Sequence, residues 1–236
     1  MKFKPHRVAL GALALSFAAA LPSQAAEPLP DLSQLASLLY QGNRADNAAS
    51  LSAARIQMQA GNPVAAFTRV VQNVRRGDRA ARVQLVEWLA QGKLKFEAAM
   101  ARNFVDEYTA AAAHGDGFGL LMLGLFSEYG FGPIEADAVK AVSYYQQAVR
   151  GGNVWALTRL GLIYETGRPP AIPANLTNAA GWYDQVSGVE AEATAHIVAM
   201  YRSKVMWKGH EPRTEEDLLA LEKRQRDFDA AHAVGP

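Results

Sequence analysis

The sequence predicts an all-α solenoid, in which pairs of antiparallel helices stack side by side and a C-terminal helix caps one end. Three observations carry this prediction. The chain repeats itself at intervals of 37 and 38 residues, the apolar residues within each interval follow the period of an α-helix, and half of the 236 residues are apolar. A single helix pair cannot bury its own apolar face, so neighbouring pairs must stack against one another.

Equivalent positions recur in three successive units, first after 38 and then after 37 residues. The equivalent positions form five columns. Two of them hold glycine, one holds leucine, one holds small residues and one holds large apolar residues. The columns are Gly77, Gly115 and Gly152; Gly92, Gly130 and Gly167; Leu85, Leu123 and Leu160; Ala81, Gly119 and Ala156; and Trp88, Phe126 and Ile163. Agreement at one shared offset indicates a repeat protein.

Each unit is expected to contain two helices, with a glycine at the end of the first. In the third unit an apolar stripe over residues 154–166 predicts the first helix, and Gly167 ends it. Asn175 begins the second helix as its N-cap. The second unit has Gly130 and Asp137 at the matching positions.

Helical signals continue on both sides of these units. Asn62 followed by Pro63 predicts a helix start before the array. Residues 189–203 continue the first-helix columns as a half-unit, and Thr214 with Asp217 resembles a capping box. In the helix that follows, the expected inner face holds Leu218, Leu219, Leu221 and Phe228, and the outer face holds Lys223, Arg224 and Arg226.

The chain therefore divides into four segments. Residues 1–25 form a predicted signal peptide, residues 26–76 a helical and capping region, residues 77–203 the repeat array, and residues 204–236 a capping helix with a tail.

The first segment has the three parts of a secretory signal peptide. Lys2, Lys4 and Arg7 precede an apolar run over 8–21, and small residues lead to an expected cleavage after Ala25. The alternative is an uncleaved anchor. We expect an exported mature protein that is not embedded in the membrane, which in a Gram-negative bacterium means the periplasm.

Composition and motifs argue against catalysis. The chain has no cysteine, which excludes disulfides, thiolate metal sites and a cysteine nucleophile. Its 24 basic and 23 acidic residues make a nucleic-acid binder unexpected. The histidines lack metal-site spacing, the serines lack a nucleophile elbow, and the glycines lie at helix ends rather than in a phosphate-binding loop. We expect no enzyme activity, no cofactor and no metal.

Residues 117–187 resemble the Sel-one-like repeat, a relative of the tetratricopeptide repeat. The motif residues are Leu123-Gly124, Gly130-x-Gly132, Asp137-x-x-Lys140-Ala141-x-x-Tyr144-Tyr145-x-x-Ala148, Gly152, Ala156, Leu160-Gly161-x-x-Tyr164 and Gly167. The resemblance implies a right-handed superhelix of helix pairs that serves as a scaffold for protein–protein contacts, and many bacterial members are periplasmic.

The leading functional hypothesis is a non-catalytic periplasmic scaffold for envelope assembly, export or signalling. The alternative is a cell-wall or polysaccharide-binding module that uses exposed aromatic side chains. We expect the aromatic stripes to be core instead, and they comprise Tyr144, Tyr145, Trp155, Trp182 and Tyr183. A hydrolase is third, since the family members linked to hydrolysis are rich in cysteine.

Charge suggests where a partner binds. Residues 63–102 hold eight basic and three acidic residues, whereas residues 103–200 hold four basic and ten acidic ones. If order along a solenoid is order in space, the N-terminal half is basic and the remainder acidic. The candidate residues for an acidic protein partner or an anionic glycan are Arg75, Arg76, Arg79 and Arg82, together with an acidic stripe at Glu128 and Glu165. The alternative for both groups is a solvated helix face.

Overall fold

The computed structural model describes residues 44–203 and 213–231, and this part contains ten α-helices and no β-strand. The predicted signal peptide and its cleavage site lie outside these residues. The helices are α1 (Arg44–Gln59), α2 (Pro63–Arg75), α3 (Arg79–Ala90), α4 (Ala98–Ala113), α5 (Gly117–Tyr129), α6 (Ala138–Arg150), α7 (Trp155–Thr166), α8 (Leu176–Asp184), α9 (Ala191–Arg202) and α10 (Glu215–Ala231). None of these helices is long and apolar enough to cross a membrane.

The helices form a stacked array. Apart from α3 and α4, each described helix packs against the next one along the chain, and α3 packs against α5 and α7 against α9. The predicted all-α solenoid of helix pairs is therefore confirmed.

The predicted helix boundaries are confirmed where local chemistry sets them. Gly130 and Gly167 end α5 and α7 with φ of 76° and 71°, a backbone region that favours glycine. The Asn175 side chain accepts a hydrogen bond from the Asn178 backbone N–H at 3.0 Å, and Asn62 caps α2 with Pro63 as its first residue.

The predicted core columns are buried. Leu85 and Leu160 are fully buried, and so are the rings of Tyr145 and Tyr183. Gly161 lies so close to the Tyr183 ring that an added Cβ would be 2.3 Å from its Cε1 atom. Each tyrosine of the second helix thus fits against a glycine of the first, and Gly124 with Tyr145 repeats the arrangement one unit earlier.

A cluster of phenylalanines joins the first two units of the array. Phe126 in α5 stacks on Phe131, with ring centroids 4.1 Å apart, and Phe67 of α2 contacts both rings. Phe96 and Phe104 complete the cluster from the preceding loop and α4. Aromatic packing therefore connects α2, which precedes the predicted array, to its second unit.

The C-terminal helix α10 starts as predicted, but its inner face differs from the expectation. The Thr214 hydroxyl accepts from the Asp217 backbone N–H at 3.1 Å, and the Asp217 carboxylate accepts from the Thr214 backbone N–H at 2.8 Å. Leu218 is buried, whereas Leu219 is 51% exposed. The other buried side chain of α10 is Gln225, which lies two turns after Leu218 on the same face. The prediction for Leu219 is therefore wrong, because polar as well as apolar contacts orient this helix.

Candidate partner-binding surface

The four arginines of the predicted basic cluster do not form one accessible patch. Arg75 and Arg76 are exposed at the end of α2, and the Arg75 guanidinium lies 4.6 Å from the centroid of the Phe118 ring. Arg79 is partly exposed at the start of α3, and Arg82, one turn further on, is buried. The cluster is thus divided between the surface and the interior.

Arg82 lies in the interior of the array, so its assignment to an accessible patch is wrong. Its Nη1 atom donates to the Glu190 carboxylate at 3.4 Å, and its guanidinium lies over the Trp155 ring at 5.2 Å. The second carboxylate oxygen of Glu190 accepts from the Thr158 hydroxyl at 3.0 Å and from the Ala193 backbone N–H at 2.8 Å. The physical reason is that α3 turns this side chain toward α7 and the start of α9, where a paired charge can be buried.

Arg79 is paired with the C-terminal helix. Its two Nη atoms donate to the two carboxylate oxygens of Asp229 at 3.1 and 2.7 Å. A basic residue of the N-terminal half therefore meets an acidic residue 150 positions away. The expectation that order along the chain equals order in space is wrong here, because the array brings α3 beside α9 and α10.

Glu128 is buried, so the predicted exposed acidic stripe is wrong at this position. Its carboxylate accepts from Arg159 Nη2 at 2.7 and 2.8 Å and from Arg168 Nη2 at 2.7 Å. The Tyr145 hydroxyl donates to it at 2.7 Å. Burial alone would raise the pKa of this carboxyl, but the charge and hydrogen bonds of Arg159 outweigh that effect. With the hydrogen bonds of Tyr145 and Arg168, they hold the pKa below its usual value.

Glu165 has the equivalent position one unit later, and its side chain is 26% exposed. Its Oε2 atom accepts from the Tyr183 hydroxyl at 2.7 Å and lies 2.9 Å from His196 Nδ1. The His196 ring stacks on Tyr183 with centroids 5.2 Å apart. Residues 128, 145 and 159 thus recur as residues 165, 183 and 196, with histidine in place of arginine. The same contact between neighbouring units is built twice, once in the core and once near the surface.

Several polar residues that no sequence motif indicates form contacts in the structure. These are Arg159, Arg168 and Glu190 in the array and Gln225 and Asp229 in α10. The repeat could have indicated Arg159. It and His196 are both potential cations, and they occupy one repeat column, 37 residues apart. The residues of α10 lie outside the repeat period and gave no such signal.

The described residues contain no group of three or more His, Asp or Glu side chains that could hold a metal ion. His114 is exposed at the end of α4, and His196 belongs to the contact with Glu165. His210 and His232 lie outside the described part of the chain. The aromatic residues offer little for sugar stacking, since Trp155, Tyr145 and Tyr183 are buried while Tyr144 and Trp182 are half-buried.

These features define an α-solenoid in which buried tyrosines join the two helices of a unit and an ion pair such as Glu128 with Arg159 joins neighbouring units. The family model described as Sel1 repeat matches residues 118–153 and 156–185, which hold the α5–α6 and α7–α8 pairs. These two segments therefore carry Sel1 repeats, as the motif resemblance predicts. Proteins of this family are typically non-catalytic scaffolds for protein–protein interaction.

Solved structures of similar proteins have low sequence identity to this chain. A Sel1 repeat protein from Oxalobacter formigenes is 19% identical, with 79% of this chain and 75% of that one covered and a TM-score of 0.47. The protective antigen c5321 of uropathogenic Escherichia coli, which displays an SLR fold, is 21% identical with a TM-score of 0.46. That match covers 77% of this chain but only 38% of the antigen. No curated protein matches the sequence.

Proposed function

We propose that this protein is a non-catalytic periplasmic scaffold that binds a protein partner of the cell envelope. The stacked Sel1 repeats carry this proposal, because an array of this kind presents an extended rigid surface on which a partner can dock. The signal-like segment over residues 1–25 supports an exported protein. Envelope assembly, export and signalling are the processes that such a scaffold would serve.

The accessible part of the basic cluster is the part that we assign to a partner. Arg75 and Arg76 lie at the exposed turn between α2 and α3, whereas Arg79 and Arg82 are engaged within the protein. Exposed cations of this kind act mainly on the rate and orientation of encounter with an acidic surface. The proposed contact is therefore electrostatic, and it involves the first two arginines only.

Crosslinking in living cells tests this function. A photoreactive residue at Arg76 of the full chain should capture an envelope protein, and adding Arg75→Glu should reduce the yield several-fold. Arg102→Glu, at an exposed position of α4, is the matched control and should leave the yield unchanged. Absence of any adduct at Arg76 and at other exposed positions of the array would contradict the scaffold function.

Location needs a separate measurement. Fractionation of cells that express the full chain should place the mature protein in the periplasmic extract, with Ala26 as its N-terminal residue. A full-length protein that remains in the membrane pellet with an intact N-terminus would contradict cleavage after Ala25.

A further inference from the structure

Helix α10 is attached to the array mainly through polar groups. Besides the bidentate contact of Asp229 with Arg79, Gln225 accepts from the Thr194 hydroxyl at 3.0 Å. The Gln225 amide also donates to the Val189 carbonyl at 3.3 Å. One turn of α10 therefore contacts the start of α3, the turn before α9, and α9 itself.

Ion pairs hold the other end of the helix. The Arg202 guanidinium of α9 donates to Glu215 at 2.7 Å and to Glu222 at 2.8 Å. Just before α10, Arg213 donates to Asp184 at 2.7 Å. All of these side chains are partly exposed, so salt screens their attraction.

Apolar burial contributes little to the attachment. Leu218 is the one apolar side chain of α10 that is fully buried in the described structure, and Leu221 and Phe228 are half-buried. Polar interfaces between parts of a chain permit relative movement, whereas large apolar ones prevent it. If α10 moved away, the groups now bonded to Gln225 and Asp229 would be a hydroxyl, a carbonyl and a guanidinium, which water can solvate.

The groups beneath α10 fit one face of a helix. Gln225 and Asp229 are four residues apart, and only a helix places such positions side by side on one face. The fork of the Arg79 guanidinium fits the two oxygens of a carboxylate. A ligand for this surface needs an amide and, one turn later, a carboxylate.

We propose that this surface is a docking site for a helix of a protein partner and that α10 is its exchangeable occupant. The α10 site comprises Arg79, Val189 and Thr194. The partner helix would carry an amide followed four residues later by a carboxylate, as α10 does. This proposal rests on the proposed scaffold function and names a second surface, distinct from Arg75 and Arg76. Because α10 competes for the site, the apparent affinity for the partner depends on how often α10 is released.

The test uses the full chain and a fluorescein-labelled synthetic peptide of residues 213–231, with binding measured by fluorescence anisotropy. Asp229→Arg in the chain opposes Arg79 and should release α10, so we expect the peptide to bind at least about tenfold more tightly than to the wild type. Asp227→Arg is the matched control, since Asp227 is 63% exposed and contacts Lys223 of its own helix. The control should bind the peptide like the wild type.

A second variant tests the same ion pair with its charges reversed. Arg79→Glu added to Asp229→Arg restores an ion pair of reversed sign, so α10 should return to its site and the tight peptide binding should be lost. Asp229→Asn is a milder replacement and should give an intermediate gain in binding. Circular dichroism of each variant establishes that it has folded.

Two outcomes would overturn the proposal. Equal peptide affinity for the wild type, Asp229→Arg and Asp227→Arg would show that α10 does not control this surface. A dimer in sedimentation that Asp229→Arg abolishes would identify a second copy of the chain as the occupant. If a partner is still crosslinked at Arg76 in either case, the scaffold function stands and only the α10 site is wrong.

Discussion

At the scale of single residues, equivalent charged side chains of this protein lie in the core in one unit and near the surface in the next. Glu128 and Glu165 occupy one repeat column and accept from equivalent tyrosines, yet the Glu128 side chain is fully buried and that of Glu165 is 26% exposed. The partner of Glu128 is Arg159, whose side chain is only 5% exposed, whereas Glu165 faces the half-buried His196. The loss of unfolding free energy on replacing either carboxylate should therefore depend on its burial and not on its position in the repeat.

The two glutamates give a matched pair of substitutions. Glu128→Gln should lower the free energy of unfolding by about 3–5 kcal/mol, because it leaves the buried Arg159 charge without its carboxylate. Glu165→Gln should cost about 1 kcal/mol or less, because the site is open to water. Urea denaturation of both variants measures the difference, and equal costs would contradict the roles assigned here.

The lowered pKa of Glu128 predicts a dependence of stability on pH. A carboxyl whose pKa is lower in the folded state stabilises the protein above the pKa of the unfolded chain, about 4.5, and this contribution is lost as the pH falls through the folded value. Stability of the wild type should therefore fall more steeply below pH 4.5 than that of Glu128→Gln. Urea denaturation between pH 7 and pH 3 compares them, and parallel curves would contradict the prediction.

At the scale of helices, each unit depends on close contact between its first and second helix. Gly161→Ala should destabilise the protein by about 1–3 kcal/mol, because the new methyl group would overlap the buried Tyr183 ring. Gly181→Ala is the control on α8, where an added Cβ has no neighbour within 4 Å. That change should stabilise the helix by up to about 1 kcal/mol. Thermal unfolding reports both shifts, and a neutral Gly161→Ala would contradict the packing described.

The leucine column of the first helices supplies a second prediction at this scale. Leu160→Ala should cost about 2–5 kcal/mol, since the fully buried side chain leaves a cavity between helices. Leu219→Ala in α10 is the surface control and should change stability by about 0.5 kcal/mol or less. A cost for Leu160→Ala within the range of the control, in urea denaturation, would show that this column is not core.

At the scale of the whole molecule, α3 contacts the C-terminal part of the described chain. Arg82 of α3 contacts Glu190 at the start of α9, and Arg79 contacts Asp229 of α10. These contacts span 108 and 150 positions, so we expect a substitution in α3 to affect the C-terminal end.

This connection can be measured by hydrogen exchange. Arg79→Glu should speed amide exchange in residues 213–231, because it replaces the ion pair with Asp229 by a repulsion. Exchange in α6 should remain as in the wild type, because α6 packs against α5 and α7. Unchanged exchange in α10 would contradict the contact between the two ends.

The sequence by itself determined the elements of this protein. The starts of α2 and α8 at Asn62 and Asn175 and the ends of α5 and α7 at Gly130 and Gly167 were all predictable, because caps and helical period depend on residues within a few positions of one another. The stacking of units followed from the repeat, since every unit buries the same column of residues.

Only the tertiary structure decided which charges are accessible. Arg82 and Glu128 carry charged side chains of the kind that usually lies on a solvated helix face, yet both are buried. Their partners come from other units. Contacts of α3 with the start of α9 and with α10 depend on the small rotations that add up between successive helix pairs, and no local sequence pattern encodes these rotations. The burial of a charge is set by these distant partners, and for that reason the site beneath α10 was visible only in the fold.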